Sequence, residues 1–348
     1  MEKIITYSPA HTIVPTYECF NRCTYCNFRV DPGQDEWMSL AMAEETLRSL
    51  QPLASSQAAS SQAANSQAAN SQLASSQEDS QRVIEILILS GEVHPNSPRR
   101  SDWFKRIYDL CKLALEMGFL PHTNAGPLTR EEMAQLRDVN VSMGLMVEQL
   151  APELLETVHA HAPSKYPQTR LQQLELAGEL KIPFTTGLLL GLGETKDDWK
   201  ESLAAIANSH AEHGHIQEVI LQPHQPGTRQ AKTRPPCYGS YLADAIKLAR
   251  DALPADITIQ IPPNLIRSDE ALLHCLTLGA SDLGGIGPVD EANPDYPHRP
   301  HEVMKDLLAT AGMVLRSRLP VYEKYDDWLP IKLRAKVKNW RARIDQSV

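Results

Sequence analysis

The sequence reads as an α/β protein folded as a closed (β/α)8 barrel of the TIM type. Three observations lead there. Short apolar runs alternate with longer amphipathic stretches along most of the chain. A length of 348 residues, 42% of them hydrophobic, suits one large barrel with a sizeable core. The glycine- and carboxylate-bearing motifs fall at the ends of the apolar runs, where barrels of this type build their active sites.

The runs expected to be strands are Thr12–Thr16, Val83–Leu89, Phe119–Thr123, Val141–Val147, Phe184–Leu190, Glu218–Gln222, Ile257–Ile261 and Ser281–Ile286. Between them the spacing predicts helices over Ser39–Leu50, Ser101–Met117, Thr129–Arg137, Gln168–Leu180, Lys196–Glu212, Gly239–Ala252 and Asp269–Leu278, with another near His301–Leu315. A six-stranded partial barrel, (β/α)6, is the alternative, because the last two runs are the weakest. The barrel is expected to occupy 1–320. Beyond it, 321–348 carries Lys332, Arg334, Lys336, Lys338, Arg341 and Arg343 interleaved with Ile331, Leu333, Val337, Trp340 and Ile344, the pattern of a basic amphipathic helix lying on the barrel.

The net charge of −9 argues against a nucleic-acid partner, which needs a basic surface. No apolar run is long enough for a membrane span, and the first residues lack a charged-then-apolar leader, so a cytoplasmic location is expected. Of six cysteines, Cys19, Cys23 and Cys26 cluster, while Cys111, Cys237 and Cys275 are scattered and read as small buried hydrophobes. In a reducing compartment such clustering points to a metal site rather than disulfides. Residues 54–77 repeat Gln at 57, 62, 67, 72 and 77 with Leu73 as their one large apolar side chain. A period of five fits neither helix nor strand, so this segment is expected to be a mobile insert on the rim opposite the active site.

The chemistry rests on Cys19-Phe20-Asn21-Arg22-Cys23-Thr24-Tyr25-Cys26, a C-x3-C-x2-C triplet directly after the first run. Three thiolates on a four-iron cubane leave one iron open. The amino and carboxylate groups of S-adenosylmethionine (SAM) can chelate that iron, and cleavage of the sulfonium then yields a 5′-deoxyadenosyl radical. A zinc site or an electron-transfer cluster would want a fourth protein ligand, and Cys111, on an expected helix, is a poor one. His210, His213 and His215 gather at a helix end without an evident carboxylate or cysteine to complete a metal site, and His159 and His161 flank a loop.

The triplet with Tyr25 and the run before it resembles the radical SAM superfamily. Tyr7–Pro9, Ile13–Thr16, Asn27–Arg29, Leu89–Glu92, Ser142–Glu148, Pro183–Glu194, Asp282–Pro288 and Asn293-Pro294 resemble, more narrowly, the 7,8-didemethyl-8-hydroxy-5-deazariboflavin synthases, the ring-closing subunit. Glu18 and Phe20 depart from that pattern, which has an apolar and a basic residue there, and the repeat is not a family feature. The resemblance implies a [4Fe–4S] cluster held by Cys19, Cys23 and Cys26, with SAM as second cofactor. It implies hydrogen abstraction from the 5-amino-5-(4-hydroxybenzyl)-6-(ribitylimino)-dihydrouracil adduct, then ring closure and ammonia loss to the deazaflavin chromophore of coenzyme F420. The partners it implies are that small-molecule substrate, the radical SAM subunit that makes it, and a reductant such as flavodoxin or ferredoxin. Another radical SAM barrel enzyme, similar to biotin synthase, a tyrosine lyase or a menaquinone-pathway enzyme, is the competing reading; a non-catalytic iron–sulfur protein is a further one.

Site residues carry over one at a time. Gly91 and Glu92 resemble the motif that meets SAM's amino group. Arg170 is expected to pair with SAM's carboxylate, and Glu148 to meet its ribose or amine. Tyr25 is expected beside adenine, through its backbone, and Gly191 and Glu194, with Gly193 between them, beside adenosine. Asp282 is expected near the barrel mouth as a substrate-contacting and catalytic residue, in a Gly-rich loop that lets the backbone approach a planar heterocycle.

Because the 54–77 segment offers almost no apolar area, and each doubling of loop length costs only about 0.6 kcal/mol, replacing it with a short Gly/Ser linker is expected to preserve the melting temperature, the iron content and SAM cleavage. Loss of the cluster on deletion would instead place the insert beside the cysteines.

Overall fold

The computed structural model describes residues 2–51, 82–232, 234–237 and 239–346. The repeat at 54–77 lies outside the described residues. Elements follow in the order β1 (Lys3–Ile13), α1 (Leu40–Leu50), β2 (Glu85–Leu89), α2 (Arg100–Glu116), β3 (Leu120–Asn124), α3 (Arg130–Arg137), β4 (Ser142–Gly144), α4 (Glu153–Glu156), α5 (Pro167–Glu179), β5 (Phe184–Leu190), α6 (Lys196–His213), β6 (Ile216–Pro223), α7 (Gly239–Ala252), β7 (Thr258–Gln260), α8 (Asp269–Thr277), β8 (Asp282–Ile286), α9 (His301–Thr310), β9 (Met313–Ser317) and α10 (Ile331–Gln346).

All strand pairings are parallel, and they run β2-β3-β4-β5-β6-β7-β8-β1 with β1 returning to β2, so eight strands close into a barrel. The partial-barrel alternative does not occur. The seam between β7 and β8 is thin, a single Gln260–Asp282 register pair.

Helix starts follow local chemistry. Thr129 and Thr195 each close a capping box, with Glu132 and Asp198, and the Ser268 hydroxyl accepts from the Ala271 N–H. Gly214 ends α6 at φ 67°. Apolar faces of the helices bury Trp103, Ile107 and Leu110 from α2, and Trp199, Leu203 and Ile206 from α6, against the strands. The last helix packs Leu333, Val337 and Trp340 on the barrel, where the Trp340 Nε1–H donates to the Gly118 carbonyl at 2.9 Å. No described helix is long and apolar enough to cross a membrane.

Three boundaries differ from expectation. The first strand is Lys3–Ile13, not Thr12–Thr16; Pro9 sits inside it beside a register shift between Thr6 and Ser8, a place where a missing N–H is tolerated. The helix expected near His301–Leu315 stops at Thr310, because Gly312 at φ 67° turns the chain into a ninth strand that pairs Met313–Ser317 with Lys3–Tyr7. The fourth strand is shortened to Ser142–Gly144; its chain bulges through 145–147 and rejoins β5 at Glu148, whose N–H donates to the Gly187 carbonyl at 3.1 Å.

Beneath the barrel, Arg318 follows β9 and donates to the Asp282 carboxylate through Nε (2.6 Å) and Nη2 (2.8 Å), while also pairing with Glu218. Asp282, fully buried, also accepts from the Gly284 N–H at 2.7 Å. This plug ties β6, β8 and the segment after β9 together.

Two buried histidines are held neutral. Burial, with Arg318 near His122 and with His213 and His210 near His215, lowers both to about 3. An unfolded histidine titrates near ~6.5. Below that the unfolded chain binds protons that the folded one refuses, so stability falls with falling pH from ~6.5 toward 3, by up to about 1.4 kcal/mol per pH unit per histidine. Urea unfolding of metal-free protein at pH 7, 6 and 5 is expected to show a shallower decline for His215→Phe than for the unsubstituted chain; parallel declines would mean His215 takes up a proton in the fold.

Candidate active site

The cysteine loop leaves β1 and is pinned on two sides. Toward β2, the Gly91 N–H donates to the Thr16 carbonyl (2.8 Å) and the Phe20 N–H to the Glu92 carbonyl (3.0 Å). Toward the segment around α4, Arg22 N–H bonds His161 O (2.7 Å), Thr24 N–H bonds Val158 O (3.1 Å), and the Asn21 Oδ1 accepts from the Ser164 N–H (3.2 Å). Glu18 is buried and organises the base of the loop. Its carboxylate accepts from the Gly33 N–H (2.8 Å), the Trp37 Nε1–H (3.2 Å) and Arg99 (2.7 Å). Burial alone would raise its pKa; these donors hold it below the usual carboxylate range. The departure at Glu18 is therefore a loop anchor.

Gly91 is where the two segments touch. A Cβ there would lie 2.2 Å from the Glu18 carbonyl oxygen and 2.7 Å from its carbon, closer than atoms can come. Trp103 of α2 supports the spot by donating to Ser90 Oγ (3.0 Å) and Gly91 O (3.1 Å).

Cys19, Cys23, Tyr25 and Cys26 line one cavity of about 190 Å³ with Gly91, Glu92, Glu148, Lys165 and Arg170. All three cysteines are free of disulfides. Burial, reinforced by Glu92, raises Cys19 to about 11, and burial raises Cys23 to about 12. Without a metal these two thiols stay protonated; a coordinating cation would deprotonate them. Three thiols sharing a cavity with two acids, a lysine and an arginine fit a three-ligand cluster beside a zwitterionic ligand.

The charged residues are cross-braced. Glu92 accepts from the Asn21 Nδ2–H at 2.9 Å and pairs with Arg170 at 3.4 Å. Arg170, in the first turn of α5 and 1% exposed, also donates to Ser164 O (2.7 Å) and Met146 O (3.3 Å). Glu148 pairs with Lys165 and holds φ at 68°, an unfavourable conformation for a residue with a Cβ. Burial would raise the Glu148 carboxyl, but Lys165 and Arg170 together hold it low. The Tyr25 hydroxyl meets His159 Nε2 at 3.1 Å, and burial lowers His159 to about 4, so its ring is neutral.

A second cavity of about 200 Å³ fills the barrel lumen. Leu89, Asn124, Leu145, Met146 and Ala292 line both, so the two adjoin at the barrel mouth. Its lower wall carries Glu85, His122, Glu218 and Arg318. Sequence reasoning missed these, along with Asn21 and Lys165. The available signal was polar residues in strand positions otherwise apolar.

Other expectations need correction. Asp282 opens β8 instead of ending near the mouth; it lies under the lumen, occupied by Arg318, and does not line the cavity. What reaches the mouth from that loop is Gly287 and residues 289–293. Glu194 is engaged in its own turn, accepting from the Gly191, Leu192 and Gly193 N–H groups (2.7, 2.8 and 3.1 Å) and from Trp199 Nε1 (3.1 Å). Neither it nor Gly191 lines the cysteine cavity. Cys111 and Cys275 are buried, but Cys237 is half-buried. The histidine cluster does have carboxylates: His213 meets Glu175 at 2.9 Å, and donor atoms of Glu175, Glu212 and His213 lie within 4.8 Å of one another.

A family model described as the Radical SAM superfamily matches residues 71–206. The chain is 59% identical to a 7,8-didemethyl-8-hydroxy-5-deazariboflavin synthase of Trichormus variabilis, across 98% of this chain and 92% of that one. It is 54% identical to the protein of that name from Trichodesmium erythraeum, across 99% of each. Among solved structures, the FeFe-hydrogenase maturase HydG from Carboxydothermus hydrogenoformans superposes with a TM-score of 0.68 at 16% identity, covering 99% of this chain and 78% of that one. Methylornithine synthase (PylB) does so with a TM-score of 0.61 at 14% identity, covering 90% and 83%. At such identities these two structures speak for the fold alone.

The Gly91 contact yields a direct test. Gly91→Ala forces the cysteine loop off the end of β2, at an overpacking cost of about 1–3 kcal/mol. Iron and sulfide retained after anaerobic reconstitution are expected to fall well below the unsubstituted level while the far-ultraviolet dichroism stays that of the barrel. Full iron content would show that the loop tolerates the displacement.

Proposed function

The chain belongs to the 7,8-didemethyl-8-hydroxy-5-deazariboflavin synthase family, and from that premise we propose how its own residues divide the work. It is a radical SAM enzyme of deazaflavin biosynthesis, with a [4Fe–4S] cluster and SAM as cofactors and a small molecule as substrate. When bound, the reduced cluster and SAM supply a 5′-deoxyadenosyl radical that takes a hydrogen atom from the substrate.

Cys19, Cys23 and Cys26 hold the cluster. Glu92, fixed by Asn21 and Arg170, receives SAM's ammonium group. Glu148, presented by its bulge, faces the same ligand from the opposite wall with Lys165. Arg170 spends its donors on Ser164, Met146 and Glu92, so it positions the carboxylate and backbone of the pocket. The backbone around Tyr25 contacts the adenine, while its hydroxyl holds the His159 wall in place. Asp282 acts from below, by locking Arg318.

The substrate is the tyrosine-derived pyrimidine adduct, seated in the lumen under the shared Leu89, Asn124 and Met146 boundary. Apolar Leu87, Leu89 and Ile220 keep water from the reacting carbon. Ring closure releases ammonia. A radical SAM partner subunit supplies the adduct, and a flavodoxin or ferredoxin supplies the electron. The observation that carries this reading is the joining of the three-cysteine cavity to the lumen at the barrel mouth.

The test is product analysis. Reconstituted protein given adduct, SAM and a reductant is expected to form the deazaflavin and 5′-deoxyadenosine, and Cys23→Ala neither. Glu92→Gln is expected to keep its cluster but weaken SAM binding by about 1.5–3 kcal/mol, the contribution of a hydrogen bond to a charged group. 5′-Deoxyadenosine without deazaflavin would refute the substrate, and unchanged SAM affinity in Glu92→Gln would refute the role of Glu92.

A further inference from the structure

We propose that the lower lumen is a polyol subsite, so that the substrate enters ribityl-chain first and leaves its rings beneath the cysteine cavity. The inference rests on the deazaflavin reading above and deepens it.

The lumen is sorted by depth. From the bottom upward β2 presents Glu85, Leu87 and Leu89, and β6 presents Glu218, Ile220 and Gln222. Four residue steps from Glu85 to Leu89 span roughly 13 Å at about 3.3 Å each. The floor carries Glu85, Glu218 and Arg318, the middle of β2 and β6 is apolar at Leu87 and Ile220, and the mouth is mixed, with Leu89 and Met146 beside Asn124, Gln222 and Asn293. The apolar level suits flat rings. At the floor the same rings would bury their faces against carboxyl groups, at a cost to both.

His122 shows what the floor wants. The Ser142 hydroxyl donates to the Pro320 carbonyl at 2.6 Å, so at 2.7 Å from His122 Nδ1 it accepts that ring's proton. The imidazole is therefore the Nδ1–H tautomer. Its Nε2 is a bare acceptor on the lumen side, where a Cβ on Gly144 would come within 2.9 Å of it. Burial keeps the ring neutral at physiological pH.

Glu85 adds carboxyl oxygens whose pKa burial raises, while Glu218 already accepts from Thr185 and Tyr322 and pairs with Arg318. Gln260 offers a carboxamide at the same cavity. A protonated carboxyl both donates and accepts, and burial shifts Glu85 toward that form. An anionic tail meets Glu85 and Glu218, while the nearby Arg318 is already paired with Glu218 and Asp282, and is disfavoured. A neutral chain of hydroxyl groups matches this mixture. The deazariboflavin named for the relatives ends in such a chain.

A site built to hydrogen-bond hydroxyls discriminates strongly against an analogue that lacks them, because its own polar groups are then left unpaired. With cluster-loaded enzyme, kcat/KM for the adduct is expected to exceed that for its N-methyl analogue, which has methyl in place of ribityl, at least a hundredfold. In His122→Phe and in Glu85→Met that preference is expected to collapse to tenfold or less. Equal use of the two substrates by the unsubstituted enzyme, or an unchanged preference in both folded variants, would overturn the proposal.

A measurement without substitutions stands beside it. 5-Amino-6-ribitylaminouracil is expected to compete with the adduct at least tenfold more tightly than 5-amino-6-methylaminouracil, and equal competition would overturn the subsite. Failure of the deazaflavin reading looks different: SAM would be cleaved but neither the adduct nor its analogue would give a ring-closed product.

Discussion

Everything at the barrel mouth depends on the contact between Gly91 and the Glu18 carbonyl. Two backbone segments, one carrying the cysteines and one ending β2, meet where a methyl group cannot fit. The contact is secured from below by Trp103 and laterally by the Thr16–Gly91 and Phe20–Glu92 hydrogen bonds. It sets the distance between the cysteine loop and Glu92. It also holds the cysteine loop at the rim over the lumen, since the same β2 supplies Glu85, Leu87 and Leu89 to the cavity below.

Charge in the upper cavity is balanced by cross-bracing. Glu92 and Glu148 face Arg170 and Lys165, and each acid is held by a base from the 163–170 segment. Buried pairs of this kind contribute little net stability, because desolvation offsets attraction. They do fix orientation, so the pocket keeps its shape before any ligand arrives. The strained backbone at Glu148 fits that pattern: the bulge after β4 costs of order 1–3 kcal/mol and places a carboxylate that a regular strand would aim elsewhere. The barrel floor follows a similar logic, with Arg318 between Asp282 and Glu218.

Much of this was legible in the sequence wherever the signal was local. The triplet, Ser90-Gly91-Glu92 and the β5 run appear in the structure where their spacing put them. Helix α6 begins at Lys196, where the spacing put it, behind the Thr195 cap. What escaped depends on distant partners. Pro9 sits inside β1 only because a bulge against β8 absorbs it, and β9 exists only because β1 is long enough to pair with two neighbours along one edge. Asp282 was misplaced because its partner, Arg318, lies 36 residues away, just past a strand that periodicity did not reveal. Glu194 looked like a ligand residue because its three N–H partners are its immediate neighbours, and such closed turns share the Gly-x-Gly-Glu pattern of open ones. The lumen residues Glu85, His122 and Glu218 were visible as letters, but their inward direction needed the register.

The central claim is that the cysteine cavity and the lumen form one reaction space, joined at Leu89, Asn124 and Met146. Isotope transfer addresses it most directly. The adduct, deuterated at its carbon-bound positions, is turned over in ordinary water with cluster-loaded enzyme, SAM and a reductant, and the 5′-deoxyadenosine is analysed by mass spectrometry. The account predicts that one deuterium from the adduct appears in 5′-deoxyadenosine in step with deazaflavin formation. 5′-Deoxyadenosine carrying only hydrogen, released while deazaflavin accumulates, would contradict it, since the radical would then be made in a space the substrate does not share.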